Sequence, residues 1–149
     1  MYKWKFFKSA RCVQVKLENG EDLAALKELD QKLWTVLACP TAGLEIPEES
    51  LVCMDTNGDK KIHVSDVITT AQWLCKMLHD PEVLFAGEAS LPLAAIANTT
   101  LLEIATPLAT DGIVSLTTVK AAIAGVTIEA QAVPEAPYAS GASWYSIIR

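Results

Sequence analysis

The sequence lacks the apolar runs that membrane insertion or secretion requires. No apolar run in it approaches the roughly 18 residues of a membrane-spanning helix. The basic and aromatic segment 1–8 is not followed by the run of about 7 to 15 apolar residues found in a signal peptide. We therefore expect a cytoplasmic protein without a membrane span.

Residues for catalysis are also scarce. The only two histidines, His63 and His79, have no motif partner, and there is no nucleophile elbow, phosphate-binding glycine loop or zinc-protease pattern. The four cysteines lack the C-x-x-C spacing of zinc and redox sites, which predicts buried, small apolar side chains. They are Cys12, Cys39, Cys53 and Cys75. The sequence thus predicts that the protein is not an enzyme.

The composition predicts a folded, acidic body. Of the 149 residues 51% are hydrophobic and 20% charged, with a net charge of −6. Residues 1–16 hold five cations and no acids, which leaves seven cations against 18 acids, a charge of −11, in the remainder. Such a body disfavours nucleic acid as a partner and suits a cation.

One twelve-residue stretch, 55–66, places oxygen atoms at a spacing that a single ion can use. Side-chain oxygens fall at its positions 1, 3, 5 and 12, and position 7 needs only its backbone carbonyl. A hard divalent cation takes about six to eight oxygen ligands. The expected metal ligands are Asp55, Asn57, Asp59, the carbonyl of Lys61, and Asp66. The alternative is a solvated turn without an ion.

This stretch resembles an EF-hand calcium loop. Asp66, in place of the longer glutamate at position 12, is similar to the dockerin variety of the loop. Lys60 stands where the family usually has a glycine, at a position that favours a left-handed backbone. The resemblance implies that the five residues bind calcium, or magnesium in its place. Because Lys60 and Lys61 add positive charge, we expect a dissociation constant of about 10⁻⁵ to 10⁻³ M.

A second resemblance covers approximately residues 4–97. The segment Leu29-Asp30-Gln31-Lys32-Leu33-Trp34-Thr35-Val36-Leu37-Ala38-Cys39-Pro40-Thr41-Ala42-Gly43-Leu44-Glu45, followed by the loop, is similar to the N-terminal region of larger, uncharacterised bacterial EF-hand-domain proteins. It implies no known reaction. It also favours the view that the chain is part of a longer protein.

Helical signals flank the loop on both sides. Pro47 marks the first turn of a short helix that runs to Met54, and a strong helix begins at Ser65 or Asp66. Its apolar stripe continues to Leu78. An additional helix opens at Glu21 and Asp22 and should run to near Cys39, because leucines recur at helical spacing until Pro40.

A degenerate copy of the loop lies at 107–118. Asp111 aligns with Asp59 and Val114 with Ile62, but proline and alanine replace the ligands at positions 1 and 3. EF-hands usually pair through a short strand at position 8, so we expect Ile62 to face Val114, or Ile113 if the register slips. The predicted fold class is mostly α: an EF-hand-like pair with one intact and one degenerate loop, an extra N-terminal helix and an extended N-terminal segment.

Three regions are expected along the chain. Residues 1–20 form an extended arm packed on the body, 21–125 form the helical EF-hand-like domain, and 126–149 form a linker-like or docking tail, or the end of a truncated portion. The expected function is calcium binding in which the ion has a mainly structural role.

Two other functions remain open. The first is a dockerin-like interaction module, calcium-assisted or calcium-independent, that contacts another domain or protein through Trp73 and Met77 or through the aromatic arm. A calcium sensor ranks third, because sensors generally use two competent hands and methionine-rich grooves, and the chain has three methionines.

Overall fold

The architecture combines short helices with three two-stranded antiparallel sheets. The structure is a computed structural model, and it describes residues 2–9, 12–34 and 36–125. Of this part of the chain, 51% is helical and 20% is in strands. The prediction of a mostly α fold is therefore wrong. Four of the strands are three residues long, too short to show an alternating pattern in the sequence.

The elements alternate along the chain. The strands are β1 Lys5–Ser9, β2 Cys12–Lys16, β3 Ala38–Pro40, β4 Lys61–His63, β5 Ser90–Pro92 and β6 Ile113–Ser115. The α-helices are α1 Gly20–Ala25, α2 Glu48–Met54, α3 Val64–Met77, α4 Thr99–Ala105 and α5 Leu116–Gly125. Turns of 3₁₀ helix lie at Leu26–Glu28, Gln31–Leu33, Pro81–Ala86, Leu93–Ala95 and Thr106–Leu108.

The N-terminal segment is a β-hairpin of β1 and β2. Trp4 and Val15 pack against a core cluster formed by Leu26, Leu29 and Ala71. This contact places the hairpin on the body of the protein through apolar burial.

Asp22 connects the hairpin to α1. The carboxylate is 1% exposed and accepts hydrogen bonds from the Tyr2 hydroxyl (2.6 Å) and from the Glu18 N–H (2.7 Å). The Asn19 side chain caps the helix by accepting from the Asp22 N–H. A buried carboxylate with these donors holds the start of the chain against the first helix.

The helix predicted to run from residue 21 to near Cys39 is wrong. α1 ends at Ala25, and two 3₁₀ turns follow before β3 begins at Ala38. The Asp30 side chain accepts from the Lys32 N–H at 2.9 Å, which starts a new turn in place of continuous helix. Val36 and Leu37, expected on the buried stripe, are 59% and 55% exposed.

The helices that flank the 55–66 loop agree with the sequence prediction. α2 follows Pro47 and ends where the Asp55 N–H donates to the carbonyls of Leu51 and Val52. α3 begins at Val64, and its burial continues through Met77 and Leu78. Local capping and proline geometry decide both helix starts.

The expected contact between Ile62 and Val114 is wrong. Ile62 in β4 lies opposite Cys39 in β3, and Val114 in β6 lies opposite Leu91 in β5. Each strand thus pairs with one that precedes it by 23 residues, whereas Ile62 and Val114 are 52 residues apart. Closing the shorter segment costs less chain entropy.

The same arrangement occurs twice at an interval of 52 residues. We call β3 to α3, residues 38–77, unit 1 and β5 to α5, residues 90–125, unit 2. In unit 1 the Thr41 N–H donates to the Lys60 carbonyl at 3.1 Å, and in unit 2 the Leu93 N–H donates to the Gly112 carbonyl at 2.9 Å. The units share strand register and a left-handed residue directly before the second strand.

Contacts between the units involve backbone groups. The Ala97 N–H donates to the Met77 carbonyl at 2.8 Å, and Leu78 forms a bridge with Ile96. The Gly20 N–H at the start of α1 donates to a carboxylate oxygen of Glu82 at 2.7 Å.

No helix in the described ranges is long and apolar enough to cross a membrane. The predicted tail at 126–149 lies outside these ranges.

Candidate metal centre

The 55–66 loop makes a tight turn between α2 and β4. Two of its residues have left-handed backbone conformations, Gly58 with φ 72° and Lys60 with φ 64°. Glycine adopts this conformation without steric cost, whereas lysine does not. Lys60 therefore adopts a backbone conformation for which glycine is better suited.

The first three expected ligands accept hydrogen bonds from the loop's own backbone. The Asp55 carboxylate accepts from the N–H groups of Gly58 and Lys60, each at 2.8 Å. The Asn57 side-chain oxygen accepts from the Asp59 N–H at 3.1 Å. Each of these hydrogen bonds closes a short local turn, which folds the side chain back over the loop. Because a carboxylate or amide oxygen has two lone pairs, each bonded oxygen keeps one that can face a cation.

Asp59 is bonded on both oxygens. One accepts from the Lys61 N–H at 2.9 Å and the other contacts the His63 ring Nε2 at 2.9 Å. The hydrogen bond with His63 lowers the pKa of the Asp59 carboxyl, and the Lys61 N–H lowers it further against the opposing effect of burial. Asp59 is therefore ionised at neutral pH.

The carbonyl of Lys61 is turned away from the β3–β4 ladder. Thr41 and Lys60 are a hydrogen-bonded pair of this sheet. Because such pairs alternate along an antiparallel ladder, the next pair, Pro40 and Lys61, is not bonded. Pro40, which has no N–H, suits this place. The Lys61 N–H and carbonyl therefore point to the loop side, as its bond to Asp59 requires.

Asp66 is the most enclosed of the expected ligands. Its side chain is 1% exposed, at the third residue of α3. One oxygen accepts from the Thr56 N–H and hydroxyl, and the other accepts from the His63 N–H at 2.7 Å. Asp66 therefore caps α3 and fixes the second residue of the loop. No sequence pattern predicted this role for Thr56. The one available signal is that a hydroxyl-bearing residue directly follows Asp55.

The expected ligands lie along one loop, but their acidic groups do not converge. Among the described residues, no three His, Cys, Asp or Glu side chains form a group that could hold a metal ion. Asp55 and Asp59 turn to the backbone of the loop, while Asp66 faces Thr56. The expected ligands are oxygen atoms, which a hard cation prefers. The backbone also forms a tight turn, as a loop site requires. An ion would have to draw the side chains together.

The 107–118 loop lacks the donors and repeats only the left-handed residue directly before the second strand, Lys60 in the first loop and Gly112 in the second. Asp111 and Gly112 have φ values of 52° and 77°. At the place of Asp66, Thr118 pairs with Ser115, their hydroxyl oxygens 2.7 Å apart, and its N–H donates to Ser115 at 3.0 Å. This loop can form its turn and cap its helix without a cation.

Comparisons of the chain with models of protein families, with curated proteins and with solved structures found no match. The resemblances to EF-hand proteins therefore stay predictions. A function for this chain has to be inferred from the geometry of the loop and of the surfaces around it.

Proposed function

We propose that the protein binds a calcium ion in the 55–66 loop, with magnesium as a weaker alternative, and that the ion has a mainly structural role. The ligands in this proposal are Asp55, Asn57, Asp59, the carbonyl of Lys61, and Asp66. The first four belong to the turn itself, and Asp66 completes the set from the first turn of α3.

The orientation of Lys61 carries the proposal. A backbone carbonyl contributes to a loop site only if it is not used in secondary structure, and the pairing of β3 with β4 leaves this one on the loop side. The left-handed Lys60 directly precedes it and turns the chain toward Asp55, to which its N–H donates. In unit 2 the equivalent carbonyl, that of Ile113, accepts a hydrogen bond from the Thr110 N–H at 2.9 Å, and the side-chain donors are absent, so both the carbonyl and the side chains distinguish the first loop.

A structural role agrees with the position of the loop between two helices. Asp55 directly follows the last residue of α2, and Asp66 lies in α3, so an ion bound to both residues joins two helices. Binding would also neutralise carboxylates that lie close together in sequence. At a free calcium concentration one hundred times the dissociation constant, binding to the folded state alone contributes about 2.7 kcal/mol to the free energy of unfolding.

Calorimetric titration of calcium into the full chain tests the proposal, together with the melting temperature in calcium and in chelator. We expect one site and a higher melting temperature with calcium. Asp59→Asn should weaken binding at least about tenfold, because it removes a charge from a coordinating group. Asp111→Asn is the matched control, since Asp111 has the equivalent place in unit 2 and asparagine tolerates its backbone.

Two results would overturn the proposal. One is the absence of binding heat and of a thermal shift at millimolar calcium. The other is equal weakening by Asp59→Asn and Asp111→Asn, which would show that calcium acts on overall charge and not in the first loop.

An interaction module is the second candidate function. The exposure of its expected contact residues differs between α3 and the N-terminal hairpin. Met77 does not belong to an exposed contact face on α3, because it is 8% exposed, and Trp73 is half-buried. The aromatic arm is different: Phe6 and Phe7 are 48% and 41% exposed. Exposed apolar side chains on the N-terminal hairpin favour this part of the protein as a contact surface.

A further inference from the structure

β2 has one edge without a strand partner in the described part of the chain. Its other edge pairs with β1 over five residues. In an antiparallel ladder, every second residue of β2 directs its N–H and carbonyl away from β1. Such an edge can accept a further strand through backbone hydrogen bonds.

An apolar groove lies next to β2, which contributes Val15 to its lining. Its volume is about 280 Å³, and no residue of β1 contributes to its lining. The groove lies between the β2 side, the 3₁₀ segment that precedes β3, and α3. Residues on its walls include Val15, Leu17, Leu33, Trp34, Val36 and Val67.

The rim of the groove is exposed apolar surface. Leu17, Leu33 and Val36 are 42%, 40% and 59% exposed, and Val13, two residues before Val15 on the same face of β2, is 64% exposed. Side chains at alternate positions of an added strand would enter this groove. Burial of these groups supplies affinity that the backbone hydrogen bonds alone do not.

The opposite face of β2 is positively charged. Lys16 lies directly across from Lys5 in the hairpin, and like charges at such positions repel. A single carboxylate, Glu18, bonds to both ammonium groups, with Lys5 at 2.9 Å. An acidic residue next to Lys16 on an added strand would supply the missing negative charge.

We propose that the free edge of β2 and the groove beside it bind an extended peptide segment of a protein partner. The segment has apolar residues at alternate positions, which enter the groove, and an acidic residue between them, which pairs with Lys16. This proposal specifies the partner of the interaction module and is independent of the cation site.

NMR titration of the full chain, in chelator, tests the proposal with three capped seven-residue peptides. The first alternates valine and glutamate, the second alternates valine and lysine, and the third has the composition of the first with its glutamates in one block. We expect saturable shifts of the amides of 13–17 and 33–36 with the first peptide only. The lysine peptide should bind at least about tenfold more weakly.

Matched variants separate the groove from general apolar adhesion. Leu33→Ser should weaken the first peptide about tenfold, whereas Leu84→Ser should not, because Leu84 is equally exposed, at 41%, but does not line the groove. Lys16→Glu should reverse the preference between the glutamate and lysine peptides. Because these side chains lie on the surface, the folded spectrum should persist in each variant.

The proposal is overturned if the three peptides bind equally or if the shifts lie away from β2. Concentration-dependent shifts of 13–17 without any peptide would instead assign this edge to a second copy of the chain. Because the titration contains no calcium, failure here leaves the calorimetric test of the loop unaffected, and the reverse also holds.

Discussion

Lys60 and Gly112, 52 residues apart, have the same left-handed backbone conformation, and the carbonyl of each accepts a hydrogen bond from the chain just beyond the opposing strand. Unit 2 therefore has the residue that suits this conformation, whereas unit 1 has a lysine that strains it. The unit with the proposed cation ligands thus has the less favourable residue at this position.

Exchange of these two residues should have opposite effects on stability. Lys60→Gly should raise the free energy of unfolding by up to about 1 kcal/mol, since relief of left-handed strain exceeds the entropic cost of glycine. Gly112→Lys should lower it by about 1 to 2 kcal/mol. Thermal unfolding in chelator measures both changes. A Cβ at Gly112 would meet no atom within 4 Å, so the predicted loss is conformational and not steric.

Asp66 should stabilise the protein even without a cation. Asp66→Ala removes the acceptor of the Thr56 and His63 donors in a site that is 1% exposed, and it should cost about 2 to 3 kcal/mol in chelator. Thr118→Ala, at the same place in unit 2, should cost about 1 kcal/mol, because it removes only the Ser115 hydroxyl pair. Denaturant unfolding compares the two. Equal costs would contradict the role of Asp66 as a buried acceptor.

Attachment of the hairpin should depend on pH at both extremes. The hydrogen bond to Asp22 raises the pKa of Tyr2 to about 12. Burial raises the pKa of Asp22, but hydrogen bonds from Tyr2 and the Glu18 N–H outweigh it and hold that pKa below its ordinary 3.8. The Tyr2 contribution is complete below the ordinary value of 10.0 and is lost as pH rises through about 12. The Asp22 contribution is complete above 3.8 and is lost as pH falls through the lowered value.

Trp4 fluorescence can report this detachment, because its ring lies 4.8 Å from that of Tyr2. In Tyr2→Phe the alkaline transition should disappear while the acid transition remains, since the Glu18 N–H still donates to Asp22. An unchanged alkaline transition in this variant would show that another group releases the hairpin.

Gly20 should be essential to the contact between α1 and the 3₁₀ turn at 81–86. A Cβ at Gly20 would lie 2.6 Å from the Glu82 backbone nitrogen and 2.9 Å from the Pro81 carbonyl carbon. Backbone atoms cannot move aside cheaply, so Gly20→Ala should cost about 1 to 3 kcal/mol. Amide exchange should also become faster in 81–86.

Gly43→Ala provides the control for this prediction. Gly43 has φ 81° and open space around it, so its substitution costs only backbone strain, about 1 kcal/mol. It should leave amide exchange in 81–86 unchanged. Faster exchange there in both variants would mean that the junction responds to any loss of stability.

Local signals predicted the elements around the candidate site. Pro47 before α2 acts through backbone conformation, and the structure confirms this boundary. Residues 90–95 form a strand followed by a 3₁₀ turn, although proline in the first turn also suits a helix there, and Asn98 caps α4. Pairing with β6 decided the first outcome over the local preference, and a hydrogen bond from the Leu101 N–H to the Asn98 side chain decided the second.

The sequence itself determined where the 55–66 turn lies, which oxygen-bearing side chains it contains and that helices flank it. These features are local, because caps, prolines and glycines act within a few residues. Only the tertiary structure decided that Ile62 faces Cys39, that Asp66 is enclosed by Thr56 and His63, and that Met77 is buried. These outcomes depend on which strands and helices meet across distant parts of the chain. That choice balances loop entropy against burial over the whole domain, and no short pattern of residues encodes it.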